Sequence, residues 1–284
     1  MAKVSVFGAS GFVGSRYCAL FRDECTAEER DAERPENDEI LYLISTSHNY
    51  HVYEDLQIDI DTNLKRLMAV LEQCRGRDVT FNFVSSWFVY GTQETLPVSE
   101  TAICRPRGFY SITKKCAEDL LVSFCRTFHK KYRILRLSNV YGPGDKFSKQ
   151  KNALQYLIQR LVNDESIELY RGGDLVRDYL HVDDVCRGIH LCLEKASLGE
   201  VTNIGSGEPS RLGDLIEYCR KQLGSTSAVT SVDPPEFHTT VQATDFYMNV
   251  TRVKRLGFTP EIDIRRGLDD VMAAMKAAKL AVPG

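Results

Sequence analysis

No stretch of this 284-residue sequence is long and apolar enough to span a bilayer, and no basic flank leads into a cleavable apolar run. The chain is therefore expected to be soluble and cytoplasmic, with no membrane partner. An excess of charge of one sign is also missing: 36 Lys and Arg stand against 39 Asp and Glu, a net of -3, which argues against a nucleic-acid partner. The nine cysteines include no C-x-x-C pair and are odd in number, so they read as reduced thiols, mostly in the core, and not as a disulfide framework. The six histidines form no dense cluster, and no metal is expected. Tryptophan occurs once, and there is no internal repeat or low-complexity linker.

What is present is 43% hydrophobic residues, enough for a substantial core, in alternating short strands and helices. Val4 to Phe7 reads as a strand, followed by a glycine-punctuated turn and a helix to about Asp23. Residues 22–39 are dominated by charge and read as a loop or solvated helix. Ile40 to Ile44 is apolar without alternation, the mark of a buried parallel strand. Further strands are expected at Val79 to Ser85 and Tyr132 to Leu137. One helix is expected from about Asp61 to Cys74, with Leu64, Leu67, Met68 and Leu71 on one face. A second is expected from about Ser111 to Thr127, with Ala117, Leu120, Leu121 and Phe124 inward. After Gly142 the rhythm loosens: a helix near 151–163, a strand at Ile167 to Tyr170, a helix at Val182 to Lys195, a strand at Val201 to Ile204 returning to the main sheet, and helices near 211–223 and 264–278. This order predicts an α/β fold, a mostly parallel sheet covered by helices with a smaller interleaved C-terminal lobe.

Gly8-x-x-Gly11-x-x-Gly14 places glycines where a chain must turn tightly, approach a pyrophosphate and pack a helix on a sheet. A glycine triplet alone is a weak signal, and its place directly after a strand strengthens it. The usual ribose anchor about 20 residues further on has no visible strand to carry it; Asp31, Glu33 and Arg34 lie in that interval within a charged run. Tyr110 and Lys114 are four apart at a helix start and share a face. An ammonium beside a phenol lowers the phenol's pKa, and a phenol so tuned exchanges a proton with a substrate hydroxyl. An isolated pair of this kind is commonly a plain surface pair. Here, however, a strand ends in Ser85-Ser86, and strand C-termini are where open α/β sheets bind ligands.

These pieces together resemble the extended short-chain dehydrogenase/reductase family, in its nucleotide-sugar epimerase/dehydratase group. The matching segments, in order, are GASGFVG at 8–14, Asn63 opening a helix, SSWFVYG at 85–91, YSITK at 110–114, RLSNVYGPG at 136–144, RDYLHVDD at 177–184 and NIGSG at 203–207. The resemblance implies a Rossmann-like dinucleotide-binding core at 1–145 and a mainly substrate-binding lobe at 146–284. It implies NAD or NADP as cofactor, held by Gly8, Ser10, Gly11, Phe12, Val13, Gly14, Ser45, Tyr110 and Lys114. It makes Ser86, Tyr110 and Lys114 catalytic, with Tyr110 the general acid/base. It places a nucleotide-linked sugar against Ser86, Tyr110, Asn139 and Arg177, and it implies a homodimer built on the helices at 61–75 and 111–127. The fixed donors of Arg177 suit a diphosphate; the competing role is a salt bridge with Asp178 or Asp183. His181 is expected to pair with Asp183 or Asp184, and His48 lies where that family approaches cofactor and substrate.

Two departures stand out. Only about 25 residues separate Gly14 from Ile40, so one or both of the usual second and third strands are expected to be missing or rebuilt, with weak cofactor retention as the consequence. Trp87 and Phe88 occupy the positions where dehydratases of this resemblance carry an acid and a base, and aromatic rings cannot move those protons. The expected activity is a nucleotide-sugar 4-epimerase working through a transient keto-sugar. The alternatives are an NADPH-dependent 4-keto-sugar reductase and a redox-inactive binding or regulatory homologue.

Overall fold

The computed structural model describes residues 3–145, 151–241 and 245–281. The expected boundary after residue 145 adjoins 146–150, which lie outside the described residues. The chain begins with strand β1 (Val4–Phe7), helix α1 (Phe12–Leu20) and a short strand β2 (Cys25–Ala27). Next come β3 (Glu39–Tyr42), α2 (Ile58–Ile60) continuing through a π-turn at Asp61–Lys65 into α3 (Arg66–Cys74), β4 (Thr80–Ser86), α4 (Phe109–Thr127) and β5 (Lys131–Leu137). The remainder is β6 (Asn139–Tyr141), α5 (Ala153–Val162), β7 (Ile167–Tyr170), β8 (Val176–His181), α6 (Val182–Lys195), β9 (Val201–Ile204), β10 (Pro209–Arg211), α7 (Leu212–Leu223), β11 (Val229–Val232), α8 (Glu236–Val241), α9 (Thr251–Arg255) and α10 (Ile264–Ala281).

The main sheet has the order β2-β1-β3-β4-β5-β9. Every neighbouring pair in it is parallel. Alternation along the strands sends side chains to two covered faces. Val4, Val6, Leu41, Val84 and Leu135 face a core shared with α6 residues such as Val185 and Ile189. Phe7, Ile40, Tyr42, Phe81 and Phe83 face Leu67 and Leu71 of α3 and Ala117 and Leu121 of α4. A third core, in the second lobe, joins α5, α7 and α10. β9 returns to the main sheet beside β5, as its apolar run predicts. Met68 and Leu120, expected inward, are both 37% exposed, because the burial stripe on α3 and α4 is narrower than the apolar pattern suggests.

One expectation is corrected. Residues 22–39 are not only loop or helix: β2 pairs with β1, Val4 opposite Cys25. Its three residues, with Cys25 alone fully buried, are too few to show periodicity inside a charged run. The sheet thus keeps one adenosine-side strand, and among the described residues none lies beyond it. In place of a further strand, residues 28–38 are tied down by local bonds. Glu28 Oε1 accepts from Glu36 N at 2.9 Å, Asn37 N donates to Ser5 Oγ at 2.8 Å, and Arg66 Nη2 donates to Arg30 O at 2.8 Å.

The helix that carries the expected acid/base is pinned to the sheet by a buried ion pair. Arg136 of β5 donates from Nε to Glu118 Oε1 at 3.0 Å and from Nη2 to Oε2 at 2.6 Å, and both side chains are almost fully enclosed. Burial disfavours the guanidinium charge, and the Glu118 carboxylate more than offsets that, raising its pKa. Arg136 also lies over the Tyr90 ring at 4.6 Å, and Tyr90 donates to Asn203 Oδ1 at 2.7 Å. Removing one partner strands the other charge in the interior. Arg136→Ala is expected to lower unfolding free energy by roughly 3–5 kcal/mol, read from the urea midpoint; a loss within experimental error would show that the pair does not hold α4.

Candidate active site

A cleft of about 940 Å³ opens at the C-terminal ends of β1, β3 and β4 and continues into the second lobe. This is where chain order reverses in the sheet, since β1 has β2 on one side and β3 on the other, and where such sheets hold ligands. The residues expected at cofactor and substrate all line it, except Ser10, which is exposed and does not. At one end lies the glycine turn. Gly8 sits at φ +85°, in the region glycine favours, and a Cβ on Gly14 would come within 2.2 Å of Gly8 O. No side chain caps the N-terminus of α1, so its first-turn N–H groups remain for a ligand. A backbone cradle with no room for side chains, at a helix N-terminus, fits the pyrophosphate of a dinucleotide. Arg16 Nε pairs with Asp183 Oδ1 at 2.5 Å and ties α1 to α6.

Ser86 ends β4, Tyr110 lies in the first turn of α4, and Lys114 follows one turn on. Burial is the largest influence on the Tyr110 phenol and raises its pKa; the Ser86 and Ser45 hydroxyls draw it back in part. Burial likewise pushes the Lys114 ammonium down to about 7, against the attraction of Glu118. Lys114 Nζ donates to Val84 O at 2.7 Å and sits 4.2 Å from the Phe83 ring centroid. The expectation that Lys114 lowers the tyrosine pKa is therefore corrected. Desolvation is the largest influence on both groups; at the phenol the Ser86 and Ser45 hydroxyls oppose it and the Asp59 charge adds to it.

Sequence reading placed Asn63 at a helix start but missed its task. The π-turn inserts an extra residue into the helix and turns the Asn63 amide toward the end of β3. Its Oδ1 accepts from Thr46 N at 2.8 Å and Ser45 Oγ at 3.1 Å, while Nδ2 donates to Thr46 Oγ1 and Thr113 Oγ1, both at 2.9 Å. Four bonds from one buried amide join β3, the helix pair and α4 around the cleft floor. Thr46 Oγ1 also donates to Asp59, whose carboxyl is raised by burial. The only sequence signal for this network is a polar cluster at the opening of an apolar helix.

On the substrate side, Asn139 Nδ2 donates to Asp178 O at 3.1 Å. Arg177 lies 5.2 Å from the Trp87 ring centroid, and burial lowers its pKa. The proposed competition from Asp178 and Asp183 finds both otherwise engaged: Asp178 accepts from Ser206 N and Oγ, Gly207 N and Met248 N, and Asp183 pairs with Arg16. His181 Nδ1 accepts from Asp183 N and caps α6. Trp87 stacks on Phe88 at 4.1 Å, and Phe88 meets the Tyr110 ring edge-on at 5.7 Å. His48 lines the cleft with Nδ1 accepting from Tyr50 N, and burial lowers its pKa to about 4. Two lining residues that the sequence did not single out, Tyr50 and His238, are bonded to each other at 3.0 Å. Among the described residues no group of three or more His, Cys, Asp or Glu is placed to hold a metal.

The comparisons agree with this geometry. The family model described as NAD dependent epimerase/dehydratase family matches residues 31–205, a span that begins past the glycine turn. A putative UDP-glucose 4-epimerase of Methanocaldococcus jannaschii is 27% identical over 77% of this chain and 70% of its own. A GDP-6-deoxy-D-mannose reductase of Pseudomonas aeruginosa is 26% identical over 95% of this chain and 96% of its own. The structure of UDP-glucose 4-epimerase from Thermotoga maritima, with UDP-glucose, superposes with a TM-score of 0.86 at 23% identity, covering 98% of this chain and 99% of that one. With a parallel sheet, a glycine cradle and a family match over more than half its length, the chain belongs to the NAD dependent epimerase/dehydratase family and is an NAD(P)-dependent enzyme.

Proposed function

We propose that the protein is a nucleotide-sugar 4-epimerase. The observation that carries this reading is the convergence of Ser86, Tyr110 and Lys114 on one cleft with the glycine cradle, where positions 87 and 88 offer rings and no carboxylate. Bound in the cleft, the nicotinamide supplies a reversible hydride acceptor. Tyr110 would take the proton from the sugar hydroxyl on oxidation and give it back to the same oxygen on re-reduction. Ser86 holds the reacting oxygen by a hydrogen bond that strengthens as charge develops. Lys114 anchors the cofactor ribose. Arg177 and Asn139 hold the diphosphate while the keto-sugar turns over. Trp87 and Phe88 keep water from the reacting carbon and provide no acid or base for elimination.

A second reading, NADPH-dependent reduction of a 4-keto-sugar, is favoured by two observations. Burial disfavours the Tyr110 phenolate, and the protonated phenol is the form that protonates a ketone oxygen. The adenosine side is thin: among the described residues, none between Gly14 and Leu43 lines the cleft. Few contacts there favour a cofactor that exchanges each turnover over one retained through many.

We also propose a homodimer through the α2–α3 and α4 faces. Ile60, Met68, Ile112 and Leu120 are between 37% and 47% exposed there, on two neighbouring helices.

Incubating the protein with UDP-glucose, dTDP-glucose or GDP-mannose and catalytic NAD is expected to give the 4-epimer of one of them. Stoichiometric NADPH consumption with a 4-keto-6-deoxy sugar nucleotide, and no epimer, would establish the reductase instead. Tyr110→Phe is expected to lower turnover by about 10²–10⁴-fold with an unchanged circular dichroism spectrum, and full activity in that variant would remove Tyr110 from the chemistry. Lys114 carries a linkage signature. Its folded pKa of about 7 lies below its unfolded value, so between those values the unfolded chain binds the extra proton and stability rises with pH. Lys114→Met is therefore expected to be more stable than wild type at pH 6–7, the gap narrowing toward pH 9 by at most about 1.4 kcal/mol per pH unit; a gap independent of pH would refute the shift. Light scattering should give twice the chain mass, and Met68→Asp with Leu120→Asp should halve it.

A further inference from the structure

Tyr110 is placed by the first turn of α4, and that turn is the weak part of the helix. Helix ends fray, and the first N–H groups of a helix have no partner within it. The residue preceding α4 is Gly108, which has no side chain to accept from them, and no acidic residue lies in the first turn. The Glu118–Arg136 pair acts two turns further on. Ser111 ties the turn to itself: its Oγ accepts from Gly108 N at 3.0 Å and donates to Gly108 O at 2.8 Å. The backbone N–H of Ser111, next in the chain to Tyr110, needs a partner from elsewhere.

That partner is Asn49, in the short turn Asn49–Tyr53 that follows β3. Its Oδ1 accepts from Ser111 N at 3.3 Å. With the amide turned over, Nδ2 and Ser111 N would meet donor to donor, so its orientation is fixed. The absence of a side chain at 108 makes the room: a Cβ there would stand 2.1 Å from Asn49 Oδ1. Asn49 is fully buried, and its Nδ2 has no partner among the described residues. A buried donor without a partner costs stability, so packing does not account for an amide here, whereas the bond to its acceptor does. The turn that carries Asn49 is itself braced. His48 Nδ1 accepts from Tyr50 N, Tyr50 bonds His238 of the second lobe, and Phe237 meets the Tyr50 and Tyr53 rings edge-on. We infer that Asn49 is a positioning residue, which caps α4 from outside the helix and so holds Tyr110 where the proton is exchanged. Asn49 does not line the cleft, but its neighbours His48 and Tyr50 do. One short segment thus shapes the cleft wall and seats the acid/base. This role rests on the one proposed above for Tyr110.

Steady-state kinetics are measured with whichever reaction wild type carries out, epimerisation of a nucleotide sugar or reduction of a nucleotide keto-sugar, since both use Tyr110. Asn49→Ala is expected to lower kcat about 10- to 100-fold, with KM and calorimetric NADH affinity within about 3-fold of wild type. Asn49→Asp keeps an acceptor at a helix N-terminus, where negative charge is favoured, and should restore most of kcat. Gly108→Ala leaves Asn49 in the chain but drives its amide away, and should lower kcat as Asn49→Ala does. In a Tyr110→Phe background Asn49→Ala should cost nothing more, because the group it positions is gone. Unchanged kcat in Asn49→Ala overturns the inference alone, as does an Asp variant no better than Ala. Where Asn49→Ala fails to fold, unchanged kcat in Gly108→Ala overturns it. A rise in KM with kcat unchanged assigns Asn49 to the cleft wall through His48 and Tyr50, and an equal further loss in the Tyr110→Phe background shows that it acts elsewhere; either result overturns the positioning role. Full activity in Tyr110→Phe itself, or a wild type that turns over neither kind of substrate, brings down the proposed function and this inference with it.

Discussion

The site depends on a carboxylate that never touches substrate. Glu118 is one helical turn beyond Lys114 and two beyond Tyr110, and it is locked to Arg136 of β5 by two hydrogen bonds in the interior. That pair fixes how α4 is rotated and how far it slides along the sheet, and therefore which side chains of its first turns enter the cleft. The same carboxylate is the charge that opposes burial at Lys114. A buried ion pair contributes little net stability against an apolar substitute of the same shape. What it supplies here is register: rotating or sliding α4 would separate two charges in a medium that solvates neither. The arrangement of the cleft-lining groups of α4 and the integrity of the fold thus converge on one contact.

Several stretches that resemble family signatures act through the same logic. Tyr90 of the VYG segment, Arg136 and Asn203 form one buried chain linking β4's end, β5 and β9. Asn203 continues it, donating to Val98 O and Asn249 O. Asp178, next to Arg177, spends its oxygens on the Ser206–Gly207 turn and Met248. A short polar motif on an apolar strand is thus in many cases a bracket between elements.

Much of this was legible in the sequence, for reasons that differ by element. Alternation and apolar runs located β1, β7, α6 and β9 because each buries enough side chains to show a period. β2 escaped because three residues carry no period. The exposure of Met68 and Leu120 escaped because an apolar stripe does not say which of its edges meets a neighbour. Placement in the cleft was legible where spacing maps onto a helix face, as for Tyr110 and Lys114, or where glycine has a steric reason, as at Gly8 and Gly14. The direction of the Tyr110 shift was not, since it turns on how completely the cleft excludes water. Nor was the Tyr50–His238 tether, whose partners are far apart in sequence and meet only through the packing of two lobes.

The rebuilt adenosine edge bears on what kind of enzyme this fold can be. Where a longer sheet would continue, residues 28–38 satisfy their own polar groups. Glu28, at the end of β2, accepts a loop amide, and Asn37 bridges Ser5 and Thr26. Groups already bonded within the protein have less to gain from a ribose, because a new bond must replace an existing one. Binding of a dinucleotide then leans on the glycine cradle and on the enclosed end around Tyr110, Lys114 and the Asn63 network, which is fully built. Affinity concentrated at the reacting end, with little at the adenosine end, would keep chemistry precise while allowing the cofactor to come and go. On this scaffold the proposed epimerase and reductase readings share the same cleft residues, so the balance between retention and exchange of the dinucleotide is the physical property on which they differ.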